Sequence, residues 1–479
     1  MGWSIGLGEK HFGGRMLGGE PLIELAELAF RELALFAAFG FLLGAIDTLA
    51  IDILWARRMI RRWMGRSDAK RRVLADLPPP SRMGRHAVFI PAWDEAAVIR
   101  AMLESTVWRF VGQDYRLFVG CYPNDPDTIA EIEAVARRAA NIRMVICPNP
   151  GPTTKADCLN ALWGELEREE LRTGTRFKSI ILHDAEDVVH RAEIALFDRL
   201  IEHHDLVQIP VVPLPHPRSR WIAGHYCDEF TESHGKDLVV RDSLAAGVPS
   251  AGVGCAIARQ ALGRLANERG GNPFDADSLT EDYELGLSLA ERGRNGTFIR
   301  CHDCETGELI AVHAHFPATL SEAVRQKTRW IAGIALYGWE RLGWHAGAAD
   351  FWMRVRDRSA ILAAMVLLAA YLAAILGFGL LVVTSTTTYA FPPMPPVLSY
   401  VLTVNLGLLL WRLTIRAGFT AVGYGWREGL RAIPRAIISN IIAMMAARRA
   451  LTGYIFAQRD RPPTWDKTHH IFPDAAAPQ

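Results

Sequence analysis

The segment Ser179 to Asp187 joins a short apolar run to three closely spaced carboxylates. Ile180 to Leu182 have the apolar, mostly β-branched character of a buried strand in a parallel sheet. In an extended chain residues i and i+2 share a face, so Asp184 and Glu186 should point together while Asp187 points away. Two carboxylates on one face suit Mg²⁺ or Mn²⁺, which commonly binds a diphosphate as well. The alternative is an acidic surface turn after a strand.

Polar residues also follow other apolar runs of the chain. Pro91 to Glu95 follows the first run, and Tyr122 to Thr128, which includes Asp125, follows the second. Lys155 opens a helical stretch after a Gly-Pro turn, and His183 to Asp187 ends the fourth run. Each of these segments alone has the composition of an ordinary turn or helix cap. Because parallel strands end at a common edge of a sheet, we predict that these segments form one ligand site.

Three further segments have residue types that suit a site of this kind. The small residues of Pro249 to Gly254 allow a ligand to approach the backbone closely. Thr280-Glu281-Asp282 opens a helix, where acidic residues also serve as plain capping groups. Gln326, Arg329 and Trp330 share one helical face, with a guanidinium suited to phosphate and an indole suited to stacking on a sugar. An amphipathic helix lying on a membrane would show the same pattern.

The elements that must position these residues alternate between about residues 85 and 316. Short apolar runs predict strands, and segments such as 95–110 and 128–140 between them have helical periodicity. The predicted strands are Ala87 to Ile90, Arg116 to Val119, Met144 to Ile146, Ile180 to Leu182 and Leu206 to Val212. This pattern predicts a parallel α/β sheet with ligands at the carboxyl ends of its strands. Neither a Gly-x-Gly-x-x-Gly nor a P-loop motif follows a strand.

Composition excludes some functions and compartments. The formal net charge of the 479 residues is +1, so we expect no nucleic-acid partner. The seven cysteines are scattered, as expected of reduced thiols. Cys301 to Cys304, with His313 and His315 nearby, could hold zinc, but a second cysteine pair is missing. A hydrophobic fraction of 50% beside 22% charged residues indicates a soluble domain joined to membrane segments.

Membrane segments flank the α/β region. Residues 33–55 are long and apolar enough to span a bilayer, although Asp47 and Asp52 would need partners there. The basic cluster that follows, from Arg57 to Arg72, places this flank in the cytoplasm and the N-terminus outside. Residues 360–383 and 397–413 predict two more spans. We interpret 437–447 as a re-entrant or surface helix, with a fourth span as the alternative.

These patterns divide the chain into segments. We predict an N-terminal segment (1–32), a transmembrane helix (33–55), an α/β domain (80–340), an interfacial helix (341–358), transmembrane or interfacial helices (359–455) and a C-terminal tail (456–479).

The ordered motifs resemble those of the inverting, membrane-bound family 2 glycosyltransferases, which include cellulose, chitin and hyaluronan synthases. The matching segments are Pro91 to Glu95, Asp125, Lys155, Asp184 to Asp187, Thr280 to Asp282 and Gln326 to Trp330. The segments Asp228 to Phe230, Lys236 to Arg241, Gly423 to Trp426 and Trp465 to Thr468 are similar to the bacteriophage adsorption protein B (NfrB-type) branch. The resemblance covers roughly residues 30 to 473. The metal motif departs from the wider pattern, because it reads Asp-Ala-Glu rather than Asp-x-Asp.

The resemblance implies a GT-A type (Rossmann-like) domain with a small α-helical transmembrane domain. It also implies a role for each motif residue. Pro91, Asp94, Glu95, Asp125, Lys155 and Asp184 would bind the UDP-sugar donor. Asp184 with Glu186 or Asp187 would hold Mg²⁺ or Mn²⁺, and this choice stays open. Asp282, beside Glu281, would be the general base, while Gln326, Arg329 and Trp330 would bind the diphosphate and the acceptor.

The function implied is inverting, metal-dependent transfer of a sugar, expected to be an N-acetylhexosamine, from a UDP-sugar to a growing surface or secreted glycan. The expected location is the bacterial inner membrane, with the catalytic domain cytoplasmic and an outer-membrane export or receptor protein as a partner. One alternative is single-sugar transfer to a lipid-linked acceptor. Another is a non-catalytic assembly or export component for a surface glycan or phage receptor, which would have no physical need for these carboxylates.

Overall fold

A computed structural model describes residues 20–64, 72–291, 296–344, 347–390, 393–456 and 470–473 of the chain. The chain forms two compact units. The first comprises residues 1–45 and 365–407, and the second comprises residues 46–364 and 408–479. The second unit contains the α/β domain and all of the candidate site residues.

The described part of the second unit contains a seven-stranded sheet and a two-stranded sheet. The strands are β1 (His86–Pro91), β2 (Tyr115–Cys121), β3 (Ile142–Ile146), β4 (Ser179–Leu182), β5 (Leu206–Gln208), β6 (Val211–Pro213), β7 (Cys255–Ala258), β8 (Gly296–Phe298) and β9 (Val312–Ala314). The large sheet has the order β3-β2-β1-β4-β7-β5-β8, and β6 pairs with β9. Its pairings are parallel except those of β7, which is antiparallel to both β4 and β5.

The predicted sheet needs two corrections. The first four apolar runs are confirmed as β1 to β4, but the fifth is not one strand. It divides after Ile209, because Pro210 has no N–H for a ladder, so β5 joins the large sheet and β6 the small one. An all-parallel sheet is also wrong, since β7 runs against its neighbours.

The helices are α1 (Glu20–Trp63), α2 (Ile99–Arg109), α3 (Pro126–Ala136), α4 (Lys155–Thr173), α5 (Glu193–Leu200), α6 (Ile222–Glu232), α7 (Leu238–Ser243), α8 (Arg259–Glu268), α9 (Glu281–Glu291), α10 (Leu320–Ile331), α11 (Gly338–Leu342), α12 (Ala348–Arg358), α13 (Ala360–Thr386), α14 (Pro396–Tyr424) and α15 (Trp426–Phe456). Alternate residues of each central strand pack on opposite faces of the sheet. In β1, Val88 and Ile90 lie in one apolar cluster, while Ala87 and Phe89 lie in the other with Trp163 of α4. The central strands are therefore buried on both faces, which leaves the strand ends as the place for polar side chains.

Two aspartates of α1 have polar partners in the second unit. Asp52 of α1 lies 2.6 Å from Lys236 Nζ, and Trp411 Nε1 of α14 donates to the other Asp52 oxygen at 2.8 Å. Asp47, also in α1, accepts from Trp352 Nε1 of α12 at 2.6 Å. Both aspartates that the sequence places in the first span therefore have polar partners, which removes much of the cost of burying them.

Four helices are long and apolar enough to cross a membrane, judged by length and composition: α1, α13, α14 and α15. The predicted span 33–55 lies inside α1, which is 44 residues long. Within the first unit, Ala34 and Ala38 of α1 pack against Ala373 of α13 and Leu398 of α14. The predicted interfacial segment 341–358 contains α12, whose Arg354 is fully buried and paired with Glu291 at 2.8 Å.

Candidate active site

The loops after β1 and β2 are fastened to each other by the carboxylate of Asp125. Asp125 Oδ2 accepts from the backbone N–H of Asp94 at 2.6 Å, and its Oδ1 caps α3 through the N–H of Thr128 at 3.3 Å. Thr128 Oγ1 in turn accepts from the N–H of Glu95 at 2.9 Å. Asp94 is exposed and has a positive φ of 54°, whereas Glu95 is buried. Pro91, the last residue of β1, is buried beneath this loop.

Lys155 is held at the site by the start of α4. Thr154 and Asp157 form a capping box there, which fixes the helix N-terminus. The Lys155 ammonium lies 2.5 Å from Asp184 Oδ1 at the end of β4. Burial works to lower the pKa of Lys155, but Asp184, Glu281 and Asp282 outweigh it and raise that pKa. The Lys155 ammonium therefore interacts electrostatically with carboxylates at the end of β4 and at the start of α9.

Glu281 and Asp282 are half-buried in the first turn of α9. Burial, together with the neighbouring Asp282, raises the pKa of Glu281 to about 7 against the opposing effect of Lys155. Burial also raises the pKa of Asp282 above its ordinary value. Gly252 lies against this carboxylate, with φ at +75°, and a Cβ placed there would collide with Asp282. The small-residue loop thus brings backbone close to Asp282.

Asp187 turns away from Asp184 and Glu186 into a buried network. Asp187 Oδ2 lies 3.0 Å from His183 Nδ1 and accepts from the Asp184 N–H at 3.0 Å. The other ring nitrogen, His183 Nε2, lies 2.7 Å from Glu193 Oε1 of α5. Burial works to lower the pKa of His183, but Glu193 and Asp187 outweigh it and raise it to about 10. Asp187 therefore stabilises the backbone of the acidic loop by accepting the hydrogen bond of the Asp184 N–H.

Glu186 faces a different set of groups from Asp187. Its Oε2 lies 3.2 Å from Nδ1 of His470, and the same nitrogen is hydrogen-bonded to Glu95 Oε1 at 2.9 Å. Burial raises the pKa of Glu186 to about 8; His470 opposes the shift, and Asp184 and Glu95 add to it. Glu186 Oε2 is buried and receives no hydrogen bond.

The residues fit a divalent cation. Glu95, Glu186 and His470 each offer one ligand atom, and these atoms all lie within 4.8 Å of one another. Two carboxylate oxygens and an imidazole nitrogen form a donor set that Mn²⁺ accepts. Glu186 Oε2 is buried and receives no hydrogen bond. Because a buried carboxylate oxygen without a partner is costly, a cation bound there would stabilise it. Asp184 is close enough to influence the charge of Glu186 but is paired with Lys155.

Gln326, Arg329 and Trp330 lie in α10, and the three side chains have different surroundings. Arg329 is near enough to Asp282 and Glu281 to lower the pKa of both carboxyls. Trp330 packs in an apolar cluster with Tyr226, their ring centroids 6.2 Å apart. Gln326 Oε1 is buried without a hydrogen bond. Arg329 therefore belongs electrostatically to the carboxylate site.

Sequence reasoning missed His470 and His183. His470 follows the segment Trp465 to Thr468, which lies outside the described residues. Also outside them are Arg66, Lys70 and Arg71 of the basic cluster and most of the predicted tail 456–479. The signal for His470 was the His-His pair that ends this motif-like segment. In the described ranges, Glu95, Glu186 and His470 form the one group close enough to hold a metal, and the suggested Cys301 to Cys304 zinc site is not among them.

The mixed sheet, with its acidic strand ends, defines a class of enzyme fold. The structure is similar to the mannosyltransferase PcManGT from Pyrobaculum calidifontis in complex with GDP-Man and Mn²⁺, with a TM-score of 0.52 and 15% sequence identity. The match covers 85% of this chain and 99% of that one. The α/β domain thus has the GT-A type fold of glycosyltransferases.

Sequence comparison gives the family. The model for glycosyl transferase family group 2 matches residues 179–415. Bacteriophage adsorption protein B of Escherichia coli strain K12 is 36% identical over 464 residues, which are 92% of this chain. Bacteriophage N4 adsorption protein B of Escherichia coli O157:H7 matches to the same extent. The chain spans 62% of the length of these curated relatives. These matches support a family 2 glycosyltransferase of the bacteriophage adsorption protein B branch.

Proposed function

We propose that this protein is an inverting glycosyltransferase of the bacterial inner membrane, with its catalytic domain in the cytoplasm. It transfers a sugar, an N-acetylhexosamine in our proposal, from a UDP-sugar to a growing surface or secreted glycan. The observation that carries the proposal is the position of Lys155, whose ammonium is influenced by Asp184, Glu281 and Asp282 together. This position supports a diphosphate subsite beside a candidate base.

Each residue role in the proposal follows from its charge and surroundings. The exposed Asp94 and the loop that Asp125 holds would receive the nucleoside. Lys155 would bind the diphosphate in place of its present contact with Asp184, since an ammonium makes charge-assisted hydrogen bonds to phosphate oxygens. Arg329 would neutralise the charge that grows on the diphosphate as it leaves.

Asp282 would be the general base. Its carboxylate accepts the proton of an acceptor hydroxyl while that oxygen attacks the anomeric carbon of the donor. The new carbon–oxygen bond forms as the bond to the diphosphate breaks, and the leaving nucleotide takes the electron pair. Attack from the face opposite the diphosphate inverts the anomeric centre. A pKa raised by burial improves the basicity of Asp282 at neutral pH.

Glu186 and Glu95 would hold a divalent cation, with Asp184 at its edge in our proposal. When bound, Mn²⁺ or Mg²⁺ supplies Lewis-acid stabilisation of the leaving diphosphate. Asp187 is better suited to orienting the acidic loop, because its carboxylate is occupied by His183 and the Asp184 N–H. This divides the motif between two cation-facing carboxylates and one supporting carboxylate.

The test is nucleotide release by the detergent-purified chain with Mn²⁺. The donor panel contains UDP-N-acetylhexosamines, UDP-hexoses and GDP-mannose, the last because the similar mannosyltransferase binds GDP-Man. We expect release from one UDP-N-acetylhexosamine. Asp282→Asn should bind UDP normally but lose about 10²- to 10⁴-fold in rate, the general-base contribution.

The same panel separates the alternatives. Release from GDP-mannose alone would replace the donor and keep the enzyme class. No release from any donor by the folded protein, with lipid-linked and glycan acceptors present, would favour the non-catalytic assembly component. A rate unchanged in Asp282→Asn would remove Asp282 from the mechanism.

A further inference from the structure

The end of the described chain returns to the acidic edge of the sheet. His470 contacts Glu95, 375 positions away in the sequence, and Glu186 at the end of β4. Two residues later, Phe472 is buried in the apolar cluster that also contains Val88 and Ile90 of β1. His470 is thus presented by a segment anchored in the core rather than by a loose terminus.

We infer that His470 is a direct ligand of the divalent cation and completes, with Glu186 and Glu95, a site shared by the α/β domain and the segment that follows α15. The inference deepens the proposed function and rests on it for the role of the cation in sugar transfer. The residue comes from beyond the apolar helices α13 to α15, so the segment that follows them supplies a ligand to the edge of the sheet.

The distances match those of a coordination shell. An ion with bonds of about 2.1 Å in octahedral geometry places neighbouring ligands about 3.0 Å apart. His470 Nδ1 lies 2.9 Å from Glu95 Oε1 and 3.2 Å from Glu186 Oε2. The three ligand atoms can therefore surround a cation after small adjustments.

The charges also favour a cation over a simple ion pair. Two carboxylates, those of Glu95 and Glu186, share the same imidazole nitrogen, His470 Nδ1, at 2.9 Å and 3.2 Å. The Lys155 ammonium is engaged with Asp184. Glu186 Oε2 is buried without a hydrogen bond. One imidazole between crowded carboxylates leaves a surplus of negative charge that a divalent ion would neutralise.

The mixed donor set selects among metals. Imidazole nitrogen suits transition ions better than Mg²⁺, which prefers oxygen ligands and retains water, and Mn²⁺ combines carboxylate binding with transition-ion character. We therefore expect Mn²⁺ to bind more tightly than Mg²⁺, and the preference to depend on His470.

Pulsed electron paramagnetic resonance of Mn²⁺ tests the inference directly, because a bound imidazole gives a ¹⁴N coupling and a carboxylate does not. The full-length, detergent-purified chain is titrated with Mn²⁺, with and without UDP. We expect ¹⁴N coupling in the wild type. His470→Ala should lose the coupling and bind Mn²⁺ at least about 10- to 100-fold more weakly, because that is the loss found for groups that only support a ligand.

Two further variants serve as controls. His470→Asp restores a ligand oxygen, so it should recover most of the affinity but show no ¹⁴N coupling. His203→Ala removes an exposed histidine after α5 and should keep both the affinity and the coupling. Thermal unfolding of each variant checks that it is folded.

The outcomes separate this inference from the proposed function. Wild-type Mn²⁺ that shows no ¹⁴N coupling, coupling that persists in His470→Ala, or no Mn²⁺ binding overturns the inference, even if sugar transfer is intact. Coupling that depends on His470, in a protein that releases nucleotide from no donor, supports the metal site while the proposed function fails.

Discussion

A methyl group added at Gly252 would perturb the candidate base without changing any charge. Gly252 has φ at +75°, and an added Cβ would lie only 3.1 Å from Cγ and 3.2 Å from Cβ of Asp282, with its Oδ2 closer still. To reach ordinary van der Waals separation the Asp282 carboxylate must move by about 1 Å, and a misplacement of about 1 Å can cost about 10²-fold in rate. Gly252→Ala should therefore lower kcat about 10²-fold.

Backbone strain contributes separately to the effect of Gly252→Ala. An L-residue in the left-handed region costs about 1–2 kcal/mol, which lowers stability but not the intrinsic rate of the folded enzyme. Gly270 offers a matched control, because its φ is +74° and nothing lies within 4 Å of an added Cβ. Gly270→Ala should lose similar stability and keep the wild-type kcat.

The assay measures kcat at saturating donor, donor KM and the unfolding temperature of both alanine variants. The 10²-fold loss corresponds to about 3 kcal/mol of activation free energy, and it should appear in kcat with little change in donor KM. If Gly252→Ala unfolds as early as Gly270→Ala but turns over at the wild-type rate, the position of the Asp282 carboxylate does not control the chemistry.

Three other predictions concern the same edge of the sheet. Lys155→Met removes the ammonium 2.5 Å from Asp184, so UDP affinity measured by calorimetry should fall about 10- to 100-fold; a change under twofold would contradict the diphosphate role. Asp187→Asn breaks the buried pair with His183, at a cost of about 3–5 kcal/mol, and an unaltered unfolding temperature would show that the network is dispensable. The active base must be ionised, and burial raises the pKa of Asp282. On acidification the transfer rate should therefore begin to fall at a higher pH than it would with an aspartate of ordinary pKa. A transfer rate that does not change between pH 5 and pH 8 would argue against this role.

Most of the sheet could be predicted because its strands are short apolar runs between turn residues. Hydrophobic periodicity identified β1 to β4, which are buried on both faces. It did not separate β5 from β6, although Pro210 between them was the available signal. It also missed β7, since direction in a sheet depends on long-range pairing with β4 and β5 rather than on local composition.

Only those features of the site that depend on residues close together in the sequence could be predicted. Strand-end carboxylates indicated an acidic edge. The alternation of an extended chain does not explain why Asp187 faces other partners, because residues 185 and 186 form a turn and the Asp187 N–H bonds to the Asp184 carbonyl. The partners of these groups could not be read from the chain. Lys155 lies beside Asp184 because α4 and β4 meet in the fold, and His470 reaches Glu186 from the far end of the sequence. The spacing of residues within a motif does not indicate contacts between residues that are far apart in the sequence.

The helix α15 shows how composition and packing can point in different directions. By length and hydropathy it could cross a membrane, yet Arg435 in its first half is fully buried and forms a 2.6 Å ion pair with Asp228 of α6. Ile442 and Ala446, further along, pack with Val324 of α10. A helix that covers both α6 and α10 over this length is held against them, and our interpretation of 437–447 as a re-entrant or surface helix, with a fourth span as the alternative, stays a prediction. Because α10 also carries Arg329, the placement of α15 helps to fix the guanidinium that faces the carboxylates.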